Sequence, residues 1–175
     1  MAGTGQRVIV GVDGSQGSVQ ALLAAAAEAR RLNAELHAVC AWTPPGGEVA
    51  EMRARSPRAL HQVWEDAAAA RLDHTFEQAF GGIPTDLAVE RSIVRGAAGP
   101  ALVQLADRPE DILVVGTGAQ DVRGALRRFV TGGSVTRHCL ARAHCNVHAV
   151  PQGARYPEPV RRAAARPVTG HLQAA

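Results

Sequence analysis

Apolar residues follow two rhythms along this chain: short β-branched runs alternate with longer stretches where alanine and leucine dominate. Arg7 to Val12 (RVIVGV) reads as a first buried strand, and Asp13-Gly14-Ser15 as a sharp turn directly after it. Ser15 or Ser18 can cap the helix that follows; Val19 to Leu32 has high helix propensity, and Asn33 ends it. Glu35 to Trp42 (ELHAVCAW) is a second strand, followed by the turn Pro44-Pro45-Gly46-Gly47. Residues 46–58 are polar and irregular, which predicts a loop. Arg58 to Phe80 predicts a long helix, with Leu60, Val63, Trp64, Ala67, Leu72 and Phe76 near helical spacing. Gly81-Gly82 and Pro84 stop it. Asp86 to Val94 alternates as a third strand does, Gly96 to Gly99 turns the chain, and Pro100 sits in the first turn of a short helix to Ala106. Asp111 to Val115 is a fourth strand. Ser134 to Ala143 is a helix with Val135, Cys139 and Leu140 on its apolar side, and Asn146 to Val150 is a fifth strand.

Strands alternating with helices predict an α/β fold of the Rossmann-like kind. It has an open five-stranded parallel sheet, order 3-2-1-4-5, with helices on both faces. Ligands in such sheets bind beyond the carboxyl ends of the strands, where the direction of connection reverses. That order sets Asp13, just past strand one, beside Gly116, just past strand four.

The stretch from Asp111 to Thr136 carries the chemistry. The strand Ile112-Leu113-Val114-Val115 runs into Gly116-Thr117-Gly118-Ala119. After an arginine-bearing loop, Gly132-Gly133-Ser134-Val135-Thr136 heads the next helix. Glycines allow close backbone approach to an anion, and a helix N-terminus holds it. Thr117, Ser134 and Thr136 add hydroxyl donors. A second reading stays open: a tight turn and a serine-capped helix with no ligand. Asp13 likewise has two readings. Its carboxylate accepts from ribose hydroxyls or helps hold magnesium, or it bonds the nearby backbone in an Asx-type turn.

Composition narrows the class. With 175 residues and 46% hydrophobic positions, one domain with a substantial core is expected. No apolar run nears the roughly 20 residues of a membrane helix, and the small, polar residues 1–6 predict no secretory signal. Every basic residue that makes up the 19 Lys+Arg is arginine. A Walker-type phosphate loop and a lysine Schiff base are therefore excluded. The net charge of +3 lies in residues 151–175, where Arg155, Arg161, Arg162 and Arg166 face only Glu158. Residues 1–151 thus read as the folded domain and 152–175 as a basic, disordered tail. Three cysteines without a signal peptide point to reduced thiols and the cytoplasm, with Cys40 a small core residue. Aromatics at 3% offer few stacking platforms, so nucleic acid is not the expected partner.

Other chemistries find less support. His138-Cys139 and His144-Cys145 resemble metal-ligand pairs, but a helix-to-strand break separates them and no Cys-x2-Cys is present, so no metal site is expected. Gly-x-Ser-x-Gly is missing, which argues against a serine hydrolase. Glu65-Asp66 reads as a solvated helix face. An enzyme acting on a phosphorylated small molecule would lean on Asp121, the one carboxylate inside the glycine loop.

The chain resembles the universal stress protein family. The residues that carry the likeness are Val10-Gly11-Val12-Asp13-Gly14-Ser15, Asp111 to Gly116, Gly133-Ser134-Val135-Thr136 and Ala143-His144-Cys145-Asn146-Val147. The resemblance spans roughly residues 6–151. It implies an adenine-nucleotide-binding regulator of stress survival, usually dimeric through the last strand, that takes ATP, with magnesium as its companion. Any hydrolysis is expected to be slow, because no base is positioned near the phosphates in the sequence. The resemblance also implies an unidentified protein partner. The family's ATP-binding branch carries Gly-x2-Gly-x9-Gly-Ser/Thr. Gly116 and Gly133-Ser134 match its ends. Ala119 stands at the second glycine position, beside Gly118, and the spacer to Gly133 is about four residues longer. By this resemblance Val12 and Asp13 meet the ribose or adenine side, and Ala41 meets adenine through its backbone. Gly116, Thr117, Gly118, Ala119, Gly133, Ser134, Val135 and Thr136 line the phosphates. The alternative is a family member that binds no nucleotide and works through protein–protein contact. In it, Ala119 and the longer loop, with Arg123, Arg127 and Arg128, mark a decayed site.

Overall fold

The computed structural model describes residues 5–117, 135–151 and 153. Five strands form one sheet: β1 (Arg7–Gly11), β2 (Glu35–Trp42), β3 (Val89–Arg95), β4 (Ile112–Gly116) and β5 (Asn146–Val150). Their order is β3-β2-β1-β4-β5, and every pairing is parallel. This is the order that the alternation of strands and helices predicts.

The pleat sorts side chains between two cores. Val8 and Val10 of β1, Leu36, Ala38 and Cys40 of β2, and Ile112 and Val114 of β4 face α1 (Gln16–Leu32) and α3 (Arg58–Phe80). Ile9, Val39, Leu113 and Val115 point the other way, into a smaller core closed by Leu102 of α4 (Ala98–Leu105) and Cys139 of α5 (Val135–Arg142). Strands apolar on both sides must be covered on both sides, so the helices divide between the faces.

A buried ion pair aligns the amino ends of the two central strands. Arg7 Nε donates to Asp111 Oδ1 at 3.0 Å, and Arg7 Nη2 donates to Oδ2 at 2.6 Å. Asp111 is fully buried and also accepts from the Arg108 backbone N–H. Three donors offset the cost of burying its charge.

Several expectations need correction. Residues 46–58 are not a loop throughout: α2 (Gly47–Ala54) occupies most of them. Its polar sequence hides a buried anchor. Glu51 accepts from the Ser56 N–H and hydroxyl and contacts His61 Nε2 at 2.7 Å. Helix α1 starts at Gln16, earlier than Val19, because Ser15 is the cap and accepts from the Ser18 N–H. Strand β3 begins at Val89, three residues after Asp86, since its pairing with β2 starts at Leu36. Leu60 and Val63 of α3 are exposed; the helix packs on the core through Trp64, which lies against Trp42 of β2, and through the buried Ala68, Leu72, Phe76 and Ala79. Val135 and Leu140 of α5 are exposed too, and only Cys139 of that trio is buried. Cys145 immediately precedes β5. The predicted helix start at Ser134 and the tail 154–175 lie outside the described residues.

Candidate functional site

The sheet reverses its winding between β1 and β4. The chain leaves β1 through α1 towards β2 and leaves β4 through α5 towards β5. The carboxyl ends of the two strands therefore splay their connections apart and leave a crevice. A cleft, partly open to solvent, lies there. Its walls are mostly aliphatic, from Val12, Val39, Ala41, Leu102 and Val115, and the first turn of α1 (Ser15, Gly17, Ser18) forms one rim. A slot with apolar walls and a polar rim suits a flat heterocycle carrying a polar tail.

Of the residues expected in a nucleotide site, Val12, Asp13, Ala41, Gly116 and Val135 line this cleft. Gly118, Ala119, Gly133 and Ser134 lie outside the described residues, as do Asp121 and the loop arginines. Thr117 continues the sheet, its N–H donating to the Val150 carbonyl at 2.9 Å. Thr136 Oγ1 donates to the Gly116 carbonyl at 3.1 Å and ties α5 to the end of β4.

Asp13 makes the turn that its position allows. Its Oδ1 accepts from the Ser15 N–H at 2.9 Å, and the side chain stays exposed at the mouth of the cleft. Gly14 follows at φ +83°, a conformation that favours glycine. Gly116 has a different reason to be glycine. A Cβ there would lie 2.8 Å from the Gly17 carbonyl oxygen, so β4 and the first turn of α1 touch backbone to backbone.

Sequence reasoning missed several neighbours of the cleft. Leu102 and Ala98 of α4 line it, although nothing in α4 resembles a ligand motif. Arg71, in the middle of α3, lays its methylenes 3.4 Å from where a Cβ on Gly14 would stand. Its guanidinium also lies near the Cys40 thiol. Burial pushes the Cys40 thiol pKa up, Arg71 opposes that, and the Asp13 charge adds to it. A lone helical arginine carries no signal in sequence; only the packing of α3 beside β2 brings it here. Among the described residues, Asp13 is the one carboxylate lining the cleft. That fits a magnesium ion held by one protein carboxylate and by substrate phosphates.

Comparisons with known proteins agree with this geometry. The sequence model of the universal stress protein family matches residues 5–151. A universal stress protein solved in complex with cAMP is 30% identical, with 84% of this chain and 97% of that one aligned at a TM-score of 0.51. UspA from Lactobacillus plantarum is 23% identical over 83% of this chain and 97% of its own, with a TM-score of 0.56. A hypothetical protein whose biochemical function was assigned from its structure is 16% identical over 86% and 99%, with a TM-score of 0.59; these last two likenesses speak for the fold alone. No curated protein sequence matches. No helix among the described residues is long and apolar enough to cross a membrane. The family match covers the whole sheet and both walls of the cleft, and this chain belongs to the universal stress protein family.

Proposed function

We propose that this protein is an adenine-nucleotide-binding regulator, with ATP, accompanied by magnesium, as its ligand and a homodimer joined through β5 as its working form. The observation that carries the proposal is the aliphatic cleft at the β1–β4 switch point with Asp13 at its mouth. Support comes from the relative solved with cAMP. Adenine would lie against Val39, Ala41 and Leu102, its polar edge towards backbone at Ala41. Asp13 would accept from the ribose hydroxyls through the carboxylate oxygen that the turn leaves over. The phosphates would run past Gly116 and Thr117 towards the start of α5 at Val135 and Thr136, with Gly118, Ala119, Gly133 and Ser134 as further contacts. Magnesium supplies charge neutralisation on the phosphates. The protein binds rather than turns over, because no histidine or second carboxylate lines the described cleft to serve as a base. The edge strand β5 leaves one side of its backbone for a second copy. Signalling then passes to a protein partner in the cytoplasm.

One observation favours a second reading, in which the chain binds no nucleotide and works through protein contact alone. Asp13 already holds Ser15, Thr136 already holds Gly116, and Gly116 is a glycine on account of Gly17.

The deciding experiment denatures freshly purified protein and identifies released adenine nucleotide by chromatography, then titrates ATP with magnesium by calorimetry. Saturable binding, lost in Asp13→Ala and Gly133→Val, supports the nucleotide reading. An empty protein that binds nothing at millimolar ATP overturns it in favour of the second.

A further inference from the structure

At the opposite end of the sheet, near the amino ends of the strands, a second cluster has no part in the nucleotide reading. Strand β2 contributes Glu35 and His37, two residues apart and so on one face of the pleat. Strand β3 contributes Glu90, the register partner of His37. Helix α4 is only eight residues long and packs on β1 and β2. Beside the cluster lies a recess of about 1040 Å³, much of it open to solvent. We propose that Glu35, His37 and Glu90 form a binding site for a divalent transition-metal ion, with zinc the best match.

Three observations converge. The ligand atoms of the three residues all lie within 4.8 Å of one another. His37 Nε2 is buried and makes no hydrogen bond. Glu35 Oε2 stands 3.1 Å from it without hydrogen-bond geometry. That spacing suits two ligands of one ion, since bonds of about 2.0–2.2 Å at tetrahedral angles separate ligand atoms by roughly 3.3 Å. Glu90 Oε2 lies 3.5 Å from the other ring nitrogen and would turn its side chain to reach the same centre. Finally, the two carboxylates differ from five others at the surface. Glu28, Glu48, Asp73, Asp86 and Asp107 each pair with an arginine. Glu35 and Glu90 both turn to an imidazole instead. Arg7, in the same recess, is taken by Asp107 and Asp111, and Arg108 donates to the Gly5 carbonyl. One nitrogen and two carboxylate oxygens, with a position open to solvent, form a donor set that zinc accepts. Bound there, the ion clips edge strand β3 to β2.

The test uses full-length protein stripped with chelator and free of nucleotide. Zinc chloride is titrated by calorimetry, and cobalt(II) by absorption spectroscopy. The expected result is one equivalent of zinc per chain and a cobalt spectrum without a thiolate charge-transfer band. His37→Ala and Glu90→Gln should each weaken zinc affinity on the order of tenfold or more, while Cys145→Ser and Asp13→Ala leave it unchanged. Circular dichroism establishes that each variant is folded, and the cobalt spectrum of the unaltered protein needs no variant. Absence of saturable binding overturns the proposal and leaves a histidine ring flanked by two carboxylates. Binding that survives both substitutions, or a thiolate band, also overturns it. Because nucleotide is absent and Asp13→Ala is the control, neither result depends on the cleft.

Discussion

A methyl group on Gly116 would lie 2.8 Å from the carbonyl oxygen of Gly17. The obstacle is backbone at the first turn of a helix that the sheet holds in place, so it cannot step aside. Gly116→Ala should therefore lower stability by about 1–3 kcal/mol, the usual range for forcing extra volume into a packed site. Thermal denaturation without ligand checks this. An unchanged midpoint would mean that β4 and α1 are less closely coupled than their geometry implies.

Gly11 offers the contrasting case. A Cβ there would meet Leu102 Cδ1 at 2.7 Å, the far end of a flexible side chain that also lines the cleft. Gly11→Ala should leave the melting midpoint within a few degrees, because Leu102 can rotate away. It should weaken ATP binding about tenfold, since Leu102 then moves within the slot meant for adenine. Calorimetry and a melt on the same sample separate the two effects.

Asp111 is buried and holds Arg7 through two hydrogen bonds, whereas Asp107 holds the same arginine from the surface. Asp111→Ala leaves the half-buried Arg7 charge without its main partner and should cost about 3 kcal/mol or more. Asp107→Ala should change stability far less, because solvent screens an exposed pair. Chemical denaturation of both variants gives the ratio.

Acid should unfold the protein through a definable set of carboxylates. The hydrogen bond from Arg7 holds Asp107 below the usual carboxylate range, Arg31 does so for Glu28, Arg95 for Glu48, and His61 with Ser56 for Glu51. A folded-state pKa below the unfolded one adds stability that is complete above the unfolded value and lost as pH falls through the folded one. The melting midpoint should thus stay level above about pH 5 and fall below about pH 4. The fall should be shallower in Glu51→Gln. Melts between about pH 2.5 and 7 measure it.

The thiols should differ in reactivity. Burial, aided by the nearby Cys145, pushes the Cys139 thiol up to about 11, and burial also raises Cys40. Burial raises the Cys145 thiol as well, but its side chain is only half-buried. Alkylation of the native protein near neutral pH, read by mass spectrometry, should mark Cys145 first and the other two only on unfolding. Early labelling of Cys139 would mean that α5 opens readily.

Much of this molecule is legible in its chain. The β-branched runs, the alanine-rich helix α1 and the glycine stops are local signals, and alternation of strand with helix limits the sheet to parallel pairing and a right-handed winding. Those rules leave more than one strand order open; the order 3-2-1-4-5 is the one that brings Asp13 and Gly116 to one crevice. The remainder depended on distance in space. Leu60 and Val63 share a helical stripe with Leu72 and Phe76, yet only the packing of α3 against the fold decides which of them is covered. Gly116 reads as a phosphate glycine, and only the fold adds that the Gly17 carbonyl also requires a glycine there. Arg71 reaches Gly14, in the turn beside the cleft, from the middle of α3, and Glu90 reaches His37 by strand register across 53 residues of chain. Periodicity reports which side of an element is apolar. It holds no record of which other element lies opposite, and that juxtaposition made the cleft and the carboxylate–imidazole cluster.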